Sequence, residues 1–367
     1  MRYYIVAGEA SGDLHGSNLV KALHGKDAQV DIRAWGGDKM EAAGAKLVKH
    51  YRDLAFMGFV EVVKHLPTIL RNLRFCKEDI QRFRPDVLVL IDYPGFNLRI
   101  AEWAKARGIK VCYYISPQVW AWKEGRVKKI REIVDRMLVI LPFELPFYQK
   151  WNYGVTYVGH PLIEVVEEEC AKPLPAPLSS TMPIVALLPG SRAQEIQQKL
   201  PVMLAALARF PDYQAVIAGA PAQPDELYES LMKDTGAVLV RNQTYEVLRQ
   251  ARAALVTSGT ATLETALFGV PQVVCYRGNP LSYMLAKRFI KVKYISLVNL
   301  ILDRPAVPEL IQHGLTEDAL VAELRSLLDD SPRRRQMLKD YSELRAVLGT
   351  GGASAAAAEA VIGLARS

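Results

Sequence analysis

Short apolar runs rich in Val, Ile and Leu alternate with helix-patterned stretches along most of this 367-residue chain. Continuous apolar strands separated by helices are typical of parallel sheets that helices cover on both faces. The pattern therefore predicts two Rossmann-like α/β domains. The predicted strands are Tyr3–Ala7, Asp86–Ile91, Lys110–Ile115, Arg136–Ile140 and Thr156–Val158, then Ile184–Leu188, Gln214–Ala218, Ala237–Val240, Ala253–Val256 and Gln272–Cys275.

The division between the two domains is visible in the composition. Residues 171–183 contain four prolines and two serines, which is typical of a linker. We therefore expect an N-terminal domain over 1–170, a second domain over 171–348 and a C-terminal helix over 349–367. The predicted helices are Leu98–Arg107, Gly125–Val134, Gln194–Ala208, Thr260–Phe268, Glu317–Leu328, Pro332–Leu348 and Ala353–Ala365.

The cysteines and apolar runs exclude several classes of protein. No two of the four cysteines form a CxxC pair, so neither a zinc site nor a disulfide framework is indicated. The apolar runs are far shorter than a membrane-spanning helix needs, and the N-terminal run is too short for a signal peptide. These features predict a soluble or peripheral cytoplasmic protein.

The positive charge is concentrated in the first half. Residues 1–165 contain 25 Lys and Arg against 18 Asp and Glu, and residues 166–367 contain 21 of each. A basic surface attracts nucleic acid, anionic membranes or anionic substrates. The charge and the pI of about 9.1 would suit a non-catalytic nucleic-acid or membrane-binding protein. Such a protein would not need the two glycine-containing polar loops of the second half, which are described next.

The first of these loops follows Ile184–Leu188 and predicts an anion site. Gly190 lets the backbone turn tightly, Ser191 can cap the next helix, and Arg192 beside the helix N-terminus favours a diphosphate. Glu195 can cap the helix or orient Arg192. The alternative is an ordinary strand-to-helix turn, although the helix dipole disfavours Arg there.

The second loop follows Ala253–Val256. Ser258, Gly259 and Thr260 offer hydroxyl and N–H groups to a phosphate at another helix start. Glu264 can accept hydrogen bonds from a ribose or can simply complement the helix dipole. Asn299 either contacts the base or diphosphate or ends a turn. Neither loop is a Walker A sequence, so the two loops predict a nucleotide or sugar-nucleotide domain.

Acidic side chains follow two strands of the first half. Glu9, Ser11 and Asp13 are the polar groups after the first strand, and Asp13 alternatively acts as a helix N-cap. Asp92 follows the second strand and is the predicted general base, ionised at neutral pH if its pKa stays near the usual value of about 3.9. Burial could also raise that pKa toward the working pH. The alternative is that Asp92 bonds the turn at Pro94 and Gly95.

Two further groups are candidates in the first half. Trp120 and Trp122 face the same side if their loop is extended, and they would then form a stacking platform for a sugar or acyl chain rather than a core edge. His160 is either an acid/base group, a phosphate ligand or a structural turn residue.

The stretch 54–77 is unusually apolar and contains Lys64, Arg71 and Arg74, with Lys77 at its end. One interpretation is a core helix broken near Pro67. The other is a lipid-facing surface flanked by basic residues, which the positive charge of this half favours.

Taken together, six motifs in order along nearly the whole chain resemble those of bacterial lipid-A-disaccharide synthases. The motifs are Ala7–Asp13, Met57–Val62, Ile91–Asn97, Ser116–Trp122, Leu188–Arg192 and Ser258–Glu264.

The resemblance implies a GT-B glycosyltransferase, with two Rossmann-like domains, a cleft between them and C-terminal helices. It implies that UDP-2,3-diacylglucosamine is joined to 2,3-diacylglucosamine 1-phosphate (lipid X), with inversion, to give UDP and the β-1,6-linked disaccharide of lipid A. It implies no metal or other cofactor, no nucleic acid, and a peripheral location on the anionic cytoplasmic face of the inner membrane. Whether the chain forms a homodimer is left open.

The resemblance also implies roles for individual residues. Gly190 and Arg192 match the family's diphosphate loop, and Ser191 and Glu195 are the further candidates of the same loop. Ser258, Gly259, Thr260, Glu264 and Asn299 contact the uridine nucleotide. Ser11, Met57, Asn97, Trp120 and Trp122 are the expected acceptor or lipid contacts.

Asp92 matches a catalytic acid of the family. Some members have a second acid where this chain has Gly95, so Glu9, Asp13 and His160 remain alternative bases. The nearest alternative functions are another UDP-sugar transferase of the same fold and a UDP-N-acetylglucosamine epimerase. An epimerase offers no reason for the apolar and basic stretch 54–77.

Overall fold

The computed structural model describes residues 1–54, 66–174, 176–178, 182–279 and 292–367. The chain divides into two compact units, one of Met1–Pro161 with Gly351–Ser367 and one of Leu162–Thr350. The first and the last residues of the chain therefore belong to the same unit.

A seven-stranded parallel sheet forms the centre of the first unit, in the order β3-β2-β1-β4-β5-β6-β7. All five strands predicted for this half are present, and each differs from its prediction by one residue at one end. The strands β2 and β3 were not predicted, because charged residues interrupt their apolar runs. The strands are β1 Arg2–Ala7, β2 Asp31–Gly36, β3 Lys46–His50, β4 Val87–Ile91, β5 Lys110–Tyr114, β6 Arg136–Val139 and β7 Thr156–Tyr157.

Helices cover this sheet and bury their apolar faces against it. In α1, for example, Leu19, Val20 and Leu23 are fully buried, and they recur at the spacing of one helix face. The helices are α1 Ala10–Lys26, α2 Asp38–Ala42, α3 Leu66–Phe83, α4 Pro94–Lys105, α5 Arg126–Ile133 and α6 Glu144–Gln149.

The second unit has a six-stranded parallel sheet in the order β10-β9-β8-β11-β12-β13. Its strands are β8 Ile184–Leu188, β9 Gln214–Gly219, β10 Val238–Arg241, β11 Ala251–Thr257, β12 Gln272–Tyr276 and β13 Glu309–Ile311. Only the three-residue β13 was not predicted. The helices are α7 Leu162–Ala171, α8 Ala193–Leu207, α9 Asp225–Met232, α10 Thr244–Gln250, α11 Thr260–Leu267, α12 Leu297–Leu302, α13 Glu317–Leu328 and α14 Pro332–Leu348.

The last helix, α15 (Ala353–Arg366), packs on α1 of the first unit. Its small residues Ala357 and Ala358 are fully buried, and Lys26 donates to Glu359 across the two helices at 2.8 Å. Among the described residues, one stretch, Pro332–Arg366, is long and apolar enough to cross a membrane. The stretch consists of α14 and α15, whose apolar side chains pack into the two units, so both are helices of globular units.

Candidate active site

The turn after β4 is strained and is held from the neighbouring strand. Asp92 and Tyr93 both have positive φ, at 45° and 48°, a conformation that costs non-glycine residues about 1–3 kcal/mol each. The backbone N–H of Asp92 donates to the carbonyl of Tyr114 at 3.1 Å, and the hydroxyl of Tyr113 donates to the carbonyl of Asp92 at 2.6 Å. Strand β5 therefore holds the backbone of Asp92 in this conformation.

Asn97 supports the same turn from inside the unit. Its fully buried side-chain amide donates to the carbonyls of Val6, Ile91 and Asp92 at 3.3, 3.2 and 2.8 Å. The amide nitrogen thus ties the ends of β1 and β4 together. This geometry is that of a structural support, and the acceptor contact that the resemblance implied for Asn97 remains a prediction.

The electrostatic surroundings of Asp92 differ from those of an ordinary aspartate. Burial, and then the nearby carboxylate of Glu9, raise the pKa of Asp92 to about 7, against the opposing effect of a hydrogen bond from the Tyr93 backbone. The expected value near 3.9 is therefore too low, whereas the alternative of a burial-raised pKa agrees with the structure. A carboxylate that titrates near neutral pH is well matched to general-base catalysis.

Glu9 lies close to Asp92 because the loops after β1 and β4 meet. A Cβ atom on Gly8 would stand 2.4 Å from Cγ of Tyr93, so the Tyr93 ring lies directly against the glycine backbone. Glu9 is the N-cap residue of α1, although its side chain does not cap the helix. Ser11, in the first turn of α1, is exposed.

Asp13 holds a different loop in place. Its buried carboxylate accepts hydrogen bonds from the backbone N–H groups of Gly37, Lys39 and Met40 at 2.7, 3.2 and 3.1 Å. The alternative expectation that Asp13 caps its own helix is wrong, because Asp13 lies inside α1 and caps α2. Three backbone bonds commit this carboxylate to the loop after β2.

His160 is fully buried beside a second buried histidine, His15. Burial, and then His15, lower the pKa of His160 to about 3, and burial lowers the pKa of His15 to about 4. Both imidazoles are therefore neutral at physiological pH. A group that gains a proton only near pH 3 is poorly matched to act as a base at neutral pH.

The two tryptophans of the loop after β5 do not share a face, because this loop forms turns rather than an extended strand. Trp120 is buried and packs edge-on against Phe143, with ring centroids 4.9 Å apart. Trp122 is 45% exposed, and the ammonium of Lys123 lies 4.2 Å from the centre of its ring. Of the two, Trp122 is the one accessible to a ligand. Met57 lies outside the described residues.

Glu144 was not predicted from the sequence, although it also lies at this edge of the sheet. It is buried, and its carboxylate accepts from the backbone of Ile140 and Leu141 just after β6, at 3.3 and 3.0 Å. Burial raises its pKa to about 7, while hydrogen bonds to the carboxylate act in the opposite direction. The available signal was a Glu four residues after the predicted strand Arg136–Ile140.

In the second unit, the loop after β8 brings Arg192 to the start of α8. Gly190 has φ of +125°, and a Cβ atom there would stand 2.4 Å from Oε2 of Glu195. Only glycine suits this close approach and this backbone conformation. Arg192, rather than Ser191, is the N-cap residue, and no side-chain cap bond is made. The Arg192 guanidinium is 56% exposed, with Nη1 3.4 Å from Oε1 of Glu195.

The loop after β11 lies beside it, because β8 and β11 are adjacent strands. Gly259, with φ of +139°, is the N-cap residue of α11, and both Gly259 and Thr260 are exposed. The Ser258 hydroxyl donates to the carbonyl of Ile295 at 2.9 Å. Two helix N-termini therefore start from neighbouring strands, an arrangement suited to an anionic ligand with two charged groups.

Glu264 lies one turn into α11 and is half-buried. Its Oε1 accepts a hydrogen bond from the hydroxyl of Tyr245 at 2.9 Å. A carboxylate has several acceptor positions, so this bond orients Glu264 and leaves it able to accept from a ligand hydroxyl.

Asn299 is buried and uses both ends of its amide within the protein. Its Nδ2 donates to the carbonyl of Val307 and to Oε1 of Glu309, and its Oδ1 accepts from the N–H of Val307, each at 2.9 Å. Glu309 in turn accepts from the backbone of Ile295 and Ser296. Asn299 therefore supports the loop that receives the Ser258 hydroxyl, and direct contact with the nucleotide remains a prediction.

Lys199 is a second residue that was not predicted. It lies on α8 at a core position, on the same face as Ile196, Leu200 and Met203, and its side chain is only 2% exposed. Its ammonium donates to the hydroxyl of Thr257, the last residue of β11. A lysine on the apolar face of a helix pattern was the signal that marks it.

Among the residues that the structure describes, no three His, Cys, Asp or Glu side chains are grouped so that they could hold a metal ion. At the ends of β8 and β11, positive charge comes from Arg192, from Lys199 and from the two helix N-termini.

A family profile and individual related proteins agree on the family to which this chain is similar. The sequence profile of the Lipid-A-disaccharide synthetase family matches residues 3–361. The lipid-A-disaccharide synthase of Syntrophus aciditrophicus is 42% identical over 364 residues, which cover 96% of this chain and 95% of that protein. That of Geobacter metallireducens is 41% identical over 362 residues, which cover 96% and 94%.

Solved structures with the same fold are much more distant in sequence. The UDP-GlcNAc 2-epimerase of Neisseria meningitidis, bound to UDP-GlcNAc, has a TM-score of 0.70 at 11% identity, covering 99% of this chain and 100% of that one. The glycosyltransferase of kitacinnamycin has a TM-score of 0.67 at 16% identity, covering 99% and 98%. These similarities confirm the two-domain GT-B fold. The profile match and the relatives at about 40% identity add the family: the chain belongs to the lipid-A-disaccharide synthases.

Proposed function

We propose that this protein condenses UDP-2,3-diacylglucosamine with 2,3-diacylglucosamine 1-phosphate, giving UDP and the disaccharide 1-phosphate of lipid A. The observation that carries the proposal is membership of the lipid-A-disaccharide synthase family over residues 3–361. Asp92 on its strained turn and the two helix N-termini of the second unit supply the chemistry that such a transfer needs.

In the proposed reaction, the acceptor's 6-hydroxyl oxygen attacks the anomeric carbon of the donor as the bond to the diphosphate breaks. The hydroxyl proton passes to the carboxylate of Asp92. The electron pair of the broken bond leaves on UDP, whose negative charge is met by Arg192 and by the N-termini of α8 and α11. Glu264 accepts from the ribose.

The test is purified protein with both diacylated substrates, with UDP release and disaccharide formation followed together. The proposal requires equal amounts of the two products and none when either substrate is omitted. UDP-N-acetylglucosamine supplied alone tests the epimerase alternative, and an epimerised sugar without disaccharide would overturn the transferase proposal.

Glu264→Gln is expected to weaken UDP binding about tenfold or more, because a hydrogen bond to a charged group contributes about 1.5–3 kcal/mol. Calorimetric titration with UDP measures this loss. The loss should be smaller for 2′-deoxy-UDP, which lacks one of the hydroxyls that Glu264 can bind. Tyr245→Phe is the matched control, since it removes the bond that orients Glu264 and keeps the carboxylate. If Glu264→Gln binds UDP as tightly as the unmodified protein, Glu264 does not bind the ribose and only complements the helix dipole.

We also propose that α3 contacts the anionic membrane surface that presents the lipid substrates. Leu73, Cys76 and Ile80 on one face are buried, while Leu70 is 53% exposed and Phe75 is 38% exposed on the other. The basic residues of the stretch 54–77 that lie on this helix add positive charge beside the exposed apolar side chains. Helix α3 thus combines both interpretations of its sequence, a core face and an apolar, basic outer face. Lys64 lies outside the described residues.

Reversing the charge of Arg71 and Arg74 to Glu is expected to weaken binding to anionic vesicles about tenfold or more at low salt, since each basic residue contributes about 1 kcal/mol. Vesicle sedimentation at two salt concentrations measures it, and the difference should shrink at high salt. UDP binding should not change. The matched control reverses Arg333 and Arg335 on α14. Equal vesicle binding by the Arg71 and Arg74 variant and the unmodified protein would contradict the proposal.

A further inference from the structure

A lysine is buried beneath the two loops of the second unit. Lys199 is 2% exposed, on the core face of α8. Burial lowers the pKa of its ammonium, and Arg192 lowers it further, while Glu195 acts in the opposite direction. Removing an ammonium from water costs several kcal/mol, so apolar packing alone does not account for a lysine here.

The contacts of Lys199 connect the two loops. Its Nζ donates to the hydroxyl of Thr257, which directly precedes Ser258. The same Nζ is 3.9 Å from Oε2 of Glu195. Glu195 in turn lies against the backbone of Gly190 and pairs with Arg192. A continuous series of polar contacts therefore runs from one loop to the other through the ammonium.

The spacing of these loops matters for a ligand with two phosphates. Adjacent strands of a sheet lie about 4.8 Å apart, and each of the two strands feeds a helix N-terminus. A diphosphate presents two linked anionic groups that the two helix N-termini can meet together, whereas a nucleoside presents none. A change in the distance or tilt between the loops would therefore affect the diphosphate far more than the nucleoside.

We propose that Lys199 is a positioning residue of the donor site, which acts through Thr257 and Glu195 to hold the two loops at the separation that a nucleoside diphosphate requires. This inference rests on the proposed function, in which that diphosphate is part of UDP. Lys199 does not itself touch the reacting atoms. It sets where Arg192 and the two helix N-termini stand.

The test is Lys199→Met, which keeps the length of the side chain and removes its charge. Titrations with UDP and with uridine are expected to show a roughly 10- to 100-fold loss of UDP affinity, the effect of a hydrogen bond to a charged group, and a change of less than about twofold for uridine. Lys233→Met, at an exposed lysine after α9, is the control and should leave both affinities unchanged. An unchanged ratio of UDP to uridine affinity in Lys199→Met would overturn the inference.

A second test changes Thr257 and keeps Lys199, and its expected effect is smaller. Thr257→Val removes the hydroxyl that accepts from Lys199, and UDP affinity should fall roughly 3- to 10-fold, as for one lost hydrogen bond. Thr257→Ser keeps the hydroxyl and should restore UDP binding, which a purely steric role of the threonine would not do. Equal UDP affinity of the Val and Ser variants would contradict the proposal. Failure of the unmodified protein to bind UDP would instead overturn the proposed function.

Discussion

Asp92→Asn is expected to lower kcat by roughly 10²- to 10⁴-fold, the usual contribution of a positioned general base. The amide cannot take the proton of the attacking hydroxyl, and its similar shape keeps the strained turn after β4. Turnover with both substrates measures the loss. Titration with UDP is the control and should give the affinity of the unmodified protein.

The pH dependence of the unmodified protein gives an independent check on Asp92. A base must be ionised to act, so kcat/KM should rise as pH increases through about 7, the pKa to which burial and Glu9 raise this carboxyl, and then level off. Glu9→Gln removes the neighbouring negative charge, so the rise should move to lower pH. A fully active Asp92→Asn protein would move the base to another group of this edge, with Glu9 first, and would leave the transferase proposal standing.

Arg192→Ala is expected to lower turnover by roughly 10²- to 10³-fold, since a charge-assisted donor to a leaving diphosphate stabilises the transition state by about 2–4 kcal/mol. The guanidinium is more than half exposed and pairs with the neighbouring Glu195 on the same helix start, so its removal should leave the fold intact. Steady-state kinetics with both substrates measure the loss, and thermal unfolding checks the fold.

Arg192→Lys separates charge from geometry at the same position. Lysine keeps a positive charge but lacks the planar, two-pronged donor of arginine, so its activity should lie between those of the Ala variant and the unmodified protein. Normal turnover and normal UDP affinity in Arg192→Ala would mean that the loop after β8 does not hold the diphosphate.

The elements that the sequence predicted well are those whose local pattern is unambiguous. All ten predicted strands are found, because each is a short apolar run, and the central ones such as β4 and β8 are buried on both faces of a parallel sheet. The strands β2, β3 and β13 were missed for the opposite reason. Asp31 and Arg33 interrupt β2, β3 begins and ends with basic residues, and β13 has only three residues. Their pairing with a neighbouring strand is a long-range interaction that a local pattern does not record.

The chemistry of the site divides in the same way. Residue type and position after a strand were the grounds for predicting Asp92, Arg192 and Glu264 as site residues, since the carboxyl ends of parallel strands share one edge of a sheet. Residue type was not enough to tell which polar groups are already used within the protein. The backbone N–H groups that bind Asp13 come from 24 to 27 residues away along the chain, and folding is needed to bring them together.

Burial was the other property that no local pattern could give. The pKa values of Asp92 and His160 move in opposite directions, because removal from water disfavours the charged form, which is the ionised form of a carboxyl and the protonated form of an imidazole. The sequence pattern places Lys199 on the apolar face of a helix, but only the fold shows that Thr257 of β11 accepts its hydrogen bond. The identity and order of the side chains were thus enough to predict the fold and the reaction. Which polar groups are used to support the fold, and which stay candidates for catalysis, depends on distances between residues far apart in the chain, and only the tertiary structure gives those distances.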